Sequence, residues 1–201
     1  MTRGTEGYAA ESKTLISRYE SIPFEARHRK EMHLLPSRPG RVADIGAGTG
    51  IDAAWLAQAG HAVTAVEPVA EFREAGRKLH PSPRIEWVDD SLPLLEKLVA
   101  RRGTFDLVMM TAVWMHFDAP ERETAMPNVA ALLSPGGKLI LSLRHGPVPE
   151  GRRMFDVTAE ETTALAKRHG LETLLNVRAE SAHEFNRQAG VTWSCLAFRA
   201  T

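Results

Sequence analysis

The run Val42-Ala43-Asp44-Ile45-Gly46-Ala47-Gly48-Thr49-Gly50 constrains this chain more than any other stretch. A short apolar run after Arg41, ending in an acid, reads as a buried parallel strand. Glycines follow at every second position, and then a helix-like run from Ile51 to Gln58 stops at Gly60. Removing each Cβ where a strand turns into a helix lets a ligand lie against the backbone. A helix entered this way also turns free N–H groups toward that ligand. The loop therefore reads as a nucleotide or nucleoside site. The dinucleotide spacing G-x-G-x-x-G would need glycine at 51, where Ile51 stands.

The remaining segments alternate between strand and helix patterns. His61 to Val66 reads as a second buried strand ending in Glu67-Pro68, about 20 residues past the loop, where an acid is placed to bind ribose hydroxyls. A helix follows to Leu79, and Arg84 to Val88 alternates as a third strand before Asp89-Asp90-Ser91. A helix is expected over Leu92 to Ala100, and a fourth strand over Phe105 to Met110. Asp118 and Pro120 suit the start of another helix, which Pro127 should kink or divide. Ser134-Pro135-Gly136-Gly137 turns the chain into a fifth strand, Lys138 to Leu143. Thr158 to Glu161 reads as a capping box. Leu171 to Arg178 and Val191 to Arg199 then form two strand-like runs with no helix between, so they join antiparallel.

The acid two residues before the first glycine, Glu67, Asp89-Asp90, the Pro135-Gly136-Gly137 turn and the closing strand pair together resemble the class I S-adenosylmethionine-dependent methyltransferases, over about residues 41 to 199. The resemblance implies an α/β fold: a doubly wound, mostly parallel seven-stranded sheet with a reversed last strand, preceded by two N-terminal helices. It implies S-adenosylmethionine as cofactor and S-adenosylhomocysteine as product. Asp44 and the backbone at Gly46 and Ala47 would hold the methionine end, while Gly48 and Gly50 let the nucleoside approach. Glu67, followed by Pro68, would take the ribose. Asp89 or Asp90, with Ser91, would take the adenine. Thr111 and Ala112 would pass the sulfonium, and Trp114 would offer it a π face.

Residues 1–40 read as a helical lid ahead of one compact domain over 41–201. They carry two amphipathic stripes, Leu15 to Ile22 and Phe24 to Leu35. The polar face is either solvated or brings Tyr8, Tyr19, Arg27 and His28 to a substrate. His116 and His145 follow the fourth and fifth strands, so each is a candidate base at the rim of a pocket, or else a ligand of its own loop. Arg144, Arg152 and Arg153 cluster after the fifth strand, and arginine forks suit a small anionic acceptor.

Composition narrows the partners. Lys+Arg and Asp+Glu balance at 25 each, so no overall basic field favours nucleic acid or membrane. A single cysteine, Cys195, leaves no intrachain disulfide or cysteine metal cluster, and no metal is expected. The first residues lack the apolar core of a signal peptide, and no run reaches membrane-spanning length, so a cytoplasmic protein is expected. Thr111 to Trp114 also departs from the Asn/Asp-Pro-Pro-aromatic run of DNA amino-methylating relatives, which favours a small-molecule acceptor. Three rivals remain: a SAM-binding sensor without turnover, a nicotinamide oxidoreductase, and aminopropyl transfer. The oligomeric state is left open.

Overall fold

The computed structural model describes residues 4–201. Before the sheet come α1 (Ser12–Glu20), the single turn α2 (Phe24–Arg27) and a 3-10 turn at Met32–Leu34. The sheet and its helices then alternate: β1 (Arg41–Ile45), α3 (Ile51–Gln58), β2 (Ala62–Val66), α4 (Ala70–Leu79), β3 (Ile85–Val88), β4 (Phe105–Met110) and α5 (Ala119–Leu132). The chain closes with β5 (Leu133–His145), α6 (Ala159–Arg168), β6 (Leu171–Glu180), α7 (Glu184–Gln188) and β7 (Thr192–Ala200).

The seven strands lie in the order β3-β2-β1-β4-β5-β7-β6, with β7 antiparallel to both neighbours and the other pairs parallel. Strand order reverses between β1 and β4, and such a switch point opens a crevice beyond the strands' carboxyl ends. One apolar layer packs α5 and α6 on one face, around Phe105, Met110, Trp114, Met126 and Phe198. The other face carries Phe24 and α3, with Leu56, Met109 and Ile140. Both faces of β1 and β2 are covered, which is why these strands read as continuous apolar runs.

Several expected elements differ. The second N-terminal stripe forms only one α-turn, because the chain turns at His28 and sends both Arg27 and His28 inward. Residues 92–100 form turns and a short 3-10 segment instead of a helix. There the Asp90 carboxylate accepts the N–H groups of Ser91, Lys97 and Leu98, folding the segment back on itself. Helix α5 runs through Pro127 undivided, with Met126, Val129 and Leu132 buried on the sheet. Strand β5 starts at Leu133, ahead of the glycine pair. The short α7 interrupts the closing hairpin.

Candidate active site

A cavity of about 1070 Å³ lies at the switch point, floored by the glycine loop and covered by residues before β1. The loop's own geometry explains its sequence. Gly46, Gly48 and Gly50 all have positive φ, and the space beside Gly48 holds only the Tyr19 ring, 3.6 Å from where a Cβ would sit. The loop does not offer a row of free amides. The N–H groups of Gly46 and Ala47 donate to the Val66 carbonyl, and that of Gly48 donates to Glu67 Oε2. The site therefore presents bare backbone faces and one acid.

Gly50 does not line this cavity. A Cβ there would stand 2.6 Å from the Trp87 ring, so this glycine is required for packing α3 against β3. Its expected part in cofactor binding is corrected accordingly.

Asp44 and Asp52 form the polar centre of the floor. Both are buried, at 1% and 3% exposure. Asp52 is fully engaged: Arg27 donates at 3.0 Å, His28 Nε2 lies 2.8 Å away, and Thr111 Oγ1 donates at 2.9 Å. Burial opposes its charge, but His28 and Arg27 hold its carboxyl far below the usual range. Asp44 has the opposite balance. Burial and the neighbouring Asp52 charge raise its pKa well above normal, and its Oδ2 has no hydrogen-bond partner among the described residues. A buried acceptor left unpaired is costly. Asp44 is thus set to receive a cation or a donor from the cavity.

Glu67 lies at the end of β2, with Oε1 accepting from Val69 N–H and Oε2 from Gly48 N–H, each at 2.8 Å. Burial pushes its pKa up to about 7, against the pull of those two bonds. Each oxygen keeps one lone pair, which suits a vicinal diol. Of the two acids after β3, Asp90 lines the cavity together with Ser91. Asp89 is exposed and pairs with Arg73 at 3.1 Å, so the structure does not bring it to the site.

Beyond β4 the chain turns at Ala112, which holds φ 58 and donates its N–H to Ser142 Oγ at 2.9 Å. Positive φ at a residue with a Cβ is uncommon and tends to mark functional turns. Thr111 and Ala112 both line the cavity, as does Pro68. The same turn sends Trp114 into the α5 side of the core, at 0% exposure, so it offers no π face here.

His116 lines the cavity and His145 does not. His145 Nε2 instead meets Ser194 Oγ at 2.9 Å, tying β5 to β7, which removes it as a candidate base. His116 Nδ1 lies 2.8 Å from the Arg153 carbonyl, and its Nε2 lies 3.0 Å from the Tyr8 hydroxyl. Because a carbonyl only accepts, the proton of neutral His116 sits on Nδ1, leaving Nε2 to accept from Tyr8. Burial lowers the His116 pKa and pushes that of Tyr8 up to about 12, so both are neutral at pH 7.

Tyr8, Tyr19, Arg27, His28, Arg144 and Arg152 all line the cavity, but they are not equally available. Arg27 is committed to Asp52. Arg152 pairs with Glu11 at 2.8 Å and stacks on the Tyr8 ring, 4.2 Å from its centroid. Arg153 turns away to Asp118 and Glu121. Among the described residues Arg144 donates only to the carbonyls of Gly146 and Pro147. Asp52 was not singled out from the sequence, because an acid in a first helical turn reads as a dipole partner.

Residues 42–137 match the model of a methyltransferase domain. The chain is 36% identical to an uncharacterised methyltransferase of Mycobacterium bovis over 107 residues, covering 53% of this chain and 40% of that protein. It is 35% identical to a ubiquinone biosynthesis O-methyltransferase of Xanthomonas euvesicatoria over 103 residues, covering 51% and 42%. The chain thus spans about two fifths of the length of these curated relatives. In fold it is similar to Burkholderia thailandensis 1,6-didemethyltoxoflavin-N1-methyltransferase, with a TM-score of 0.70 at 22% identity, covering 96% of this chain and 88% of the other. That structure contains 1,6-didemethyltoxoflavin and S-adenosylhomocysteine. Residues 42–137 thus match a methyltransferase domain, and the chain has the fold of the class I S-adenosylmethionine-dependent methyltransferases.

Proposed function

We propose that this protein transfers the methyl group of S-adenosylmethionine to a small-molecule acceptor carrying an anionic group. The observation that carries the cofactor reading is Asp44: a buried, unpartnered carboxylate oxygen beside an open glycine loop fits the ammonium of the methionine end. Glu67 fits the ribose hydroxyls, and Asp90 with Ser91 fits the adenine edge. When bound, S-adenosylmethionine supplies a methyl group already activated by a sulfonium.

The residues then have two tasks, to orient the acceptor and to take its proton. Holding reactants in near-attack geometry supplies up to ~7–11 kcal/mol of a displacement barrier. The segment before β1 does this as a lid, with Tyr8 and Tyr19 on the cavity side. For an acceptor O–H or N–H, Tyr8 Oη takes the acceptor's proton as it passes its own to His116 Nε2. The resulting imidazolium is held by the Arg153 carbonyl at Nδ1. The Arg152 guanidinium over the Tyr8 ring counters any negative charge arising on the phenol. Among the described residues Arg144 has no carboxylate partner, which supports the anionic acceptor.

Thermal melting with S-adenosylhomocysteine, S-adenosylmethionine, NAD and NADP tests the cofactor reading. A ligand at 100 times its dissociation constant adds ~2.7 kcal/mol. The expected result is a rise with the first two alone. A rise only with NAD or NADP would overturn the reading. Binding without any turnover across a broad acceptor screen would favour a sensor.

A further inference from the structure

The cavity also reaches the β5–β7 ladder, and the part of it lined by that ladder forms a lobe of its own chemistry. Ser142 stands opposite Cys195 and Arg144 opposite Trp193 in that antiparallel pair. Directly opposed residues and alternate residues share one face, so all four side chains point the same way. All four line the cavity. The two rows lie two positions apart along each strand, a distance of ~7 Å.

The inner row, Ser142 and Cys195, faces one acid. Glu31, just before the 3-10 turn, adjoins the Cys195 thiol and lines the same lobe. It is 2% exposed, and its Oε2 has no hydrogen-bond partner among the described residues. This row also borders the turn at Ala112, through the Ser142 hydroxyl. The outer row is basic. Among the described residues Arg144 donates only to the carbonyls of its own loop. Arg18, on α1, is close enough to repel it and sits over the Phe185 ring at 4.4 Å. Neither guanidinium has a carboxylate partner among the described residues, whereas Arg152 pairs with Glu11.

We propose that this lobe selects an acceptor charged at both ends: a carboxylate or similar oxyanion on Arg144 and Arg18, and an amine facing Glu31, with Trp193 walling the anionic end. The inference rests on the reading of a small anionic acceptor and adds its second pole. A buried carboxylate with one oxygen unpaired and two guanidiniums of like charge are each costly in an empty cavity. A ligand with only an anion relieves the arginines and leaves Glu31 unmet. A ligand with only an amine does the reverse. A guanidinium fork also prefers a planar oxyanion, which it binds through two parallel bonds.

The test is calorimetric binding of 4-(aminomethyl)benzoate, benzoate and benzylamine to the full chain, with and without S-adenosylhomocysteine. The two-ended probe should bind at least about tenfold tighter than either single-ended one. Glu31→Gln should erase its advantage over benzoate, and Arg144→Ala its advantage over benzylamine. Arg144→Lys should restore part of the latter, which shows that the site and not the fold was changed. S-adenosylhomocysteine affinity should stay the same in all three variants. Equal binding of the three probes, or an unchanged order in the variants, would overturn the proposal. If S-adenosylhomocysteine fails to bind while the two-ended probe binds selectively, the methyl-transfer reading fails and the lobe assignment stands.

Discussion

The Tyr8 hydroxyl lies 3.0 Å from His116 Nε2, so the histidine meets the cavity's contents through a phenol. Removing either partner should break the same proton path. Tyr8→Phe and His116→Gln are each expected to lower turnover by ~10²–10⁴-fold for an acceptor that loses a proton. The double variant should be little worse than either single one. Affinity for S-adenosylhomocysteine should not change. Additive losses in kcat would show two separate roles.

Asp44→Asn keeps the shape of the side chain and removes its charge. Ligand-free stability should rise, because the buried carboxylate next to Asp52 is relieved. Affinity for S-adenosylhomocysteine should fall by about 10–100-fold, the scale of a charged hydrogen bond of ~1.5–3 kcal/mol. Melting and calorimetry on one preparation check both signs together.

The raised pKa of Glu67 makes cofactor binding depend on pH. A ribose diol donates to the ionised carboxylate, so at pH below about 7 binding must release a proton. Affinity should climb by up to about tenfold per pH unit below that value and level off above it. Ligand-free stability moves the other way. The unfolded carboxyl ionises near 4.5 while the folded one holds its proton to about 7, so stability is lost as pH rises through that window. Glu67→Gln should flatten both curves.

Gly50→Ala should lower stability by about 1–3 kcal/mol, since the new Cβ meets Trp87 from a left-handed backbone. Trp114→Ala should cost about 3–5 kcal/mol through a core void. Folded fractions of both should still bind S-adenosylhomocysteine normally. A selective loss of affinity would return either residue to the cofactor site.

The strands, the reversed β7 and the glycine loop were legible because they follow period and spacing, which the backbone obeys locally. Asp44, Glu67, Thr111 and Ala112 were legible for the same reason: each sits at or just past a strand end that the sheet carries to the crevice. Side-chain direction after a strand is another matter. The positive φ at Ala112 turns Trp114 into the core and leaves His116 on the cavity side, and no spacing rule encodes that turn. The absent helix at 92–100 has a similar cause, a carboxylate competing for backbone N–H groups. Pairing was also hidden. Whether Arg152 or Arg144 remains available depends on Glu11, 141 residues from Arg152 in sequence.

Arg27 pairs with Asp52 and His28 hydrogen-bonds to it, both from a segment that precedes the first strand. A chain starting at residue 41 would leave Asp44 and Asp52 side by side without the Arg27 counter-ion or the His28 hydrogen bond. Such a fragment should keep its strand order on paper and fail as a soluble product. Arg27 and His28 therefore belong to the floor of the cavity, and no protease cut or engineered fusion between them and the first strand should release a working half.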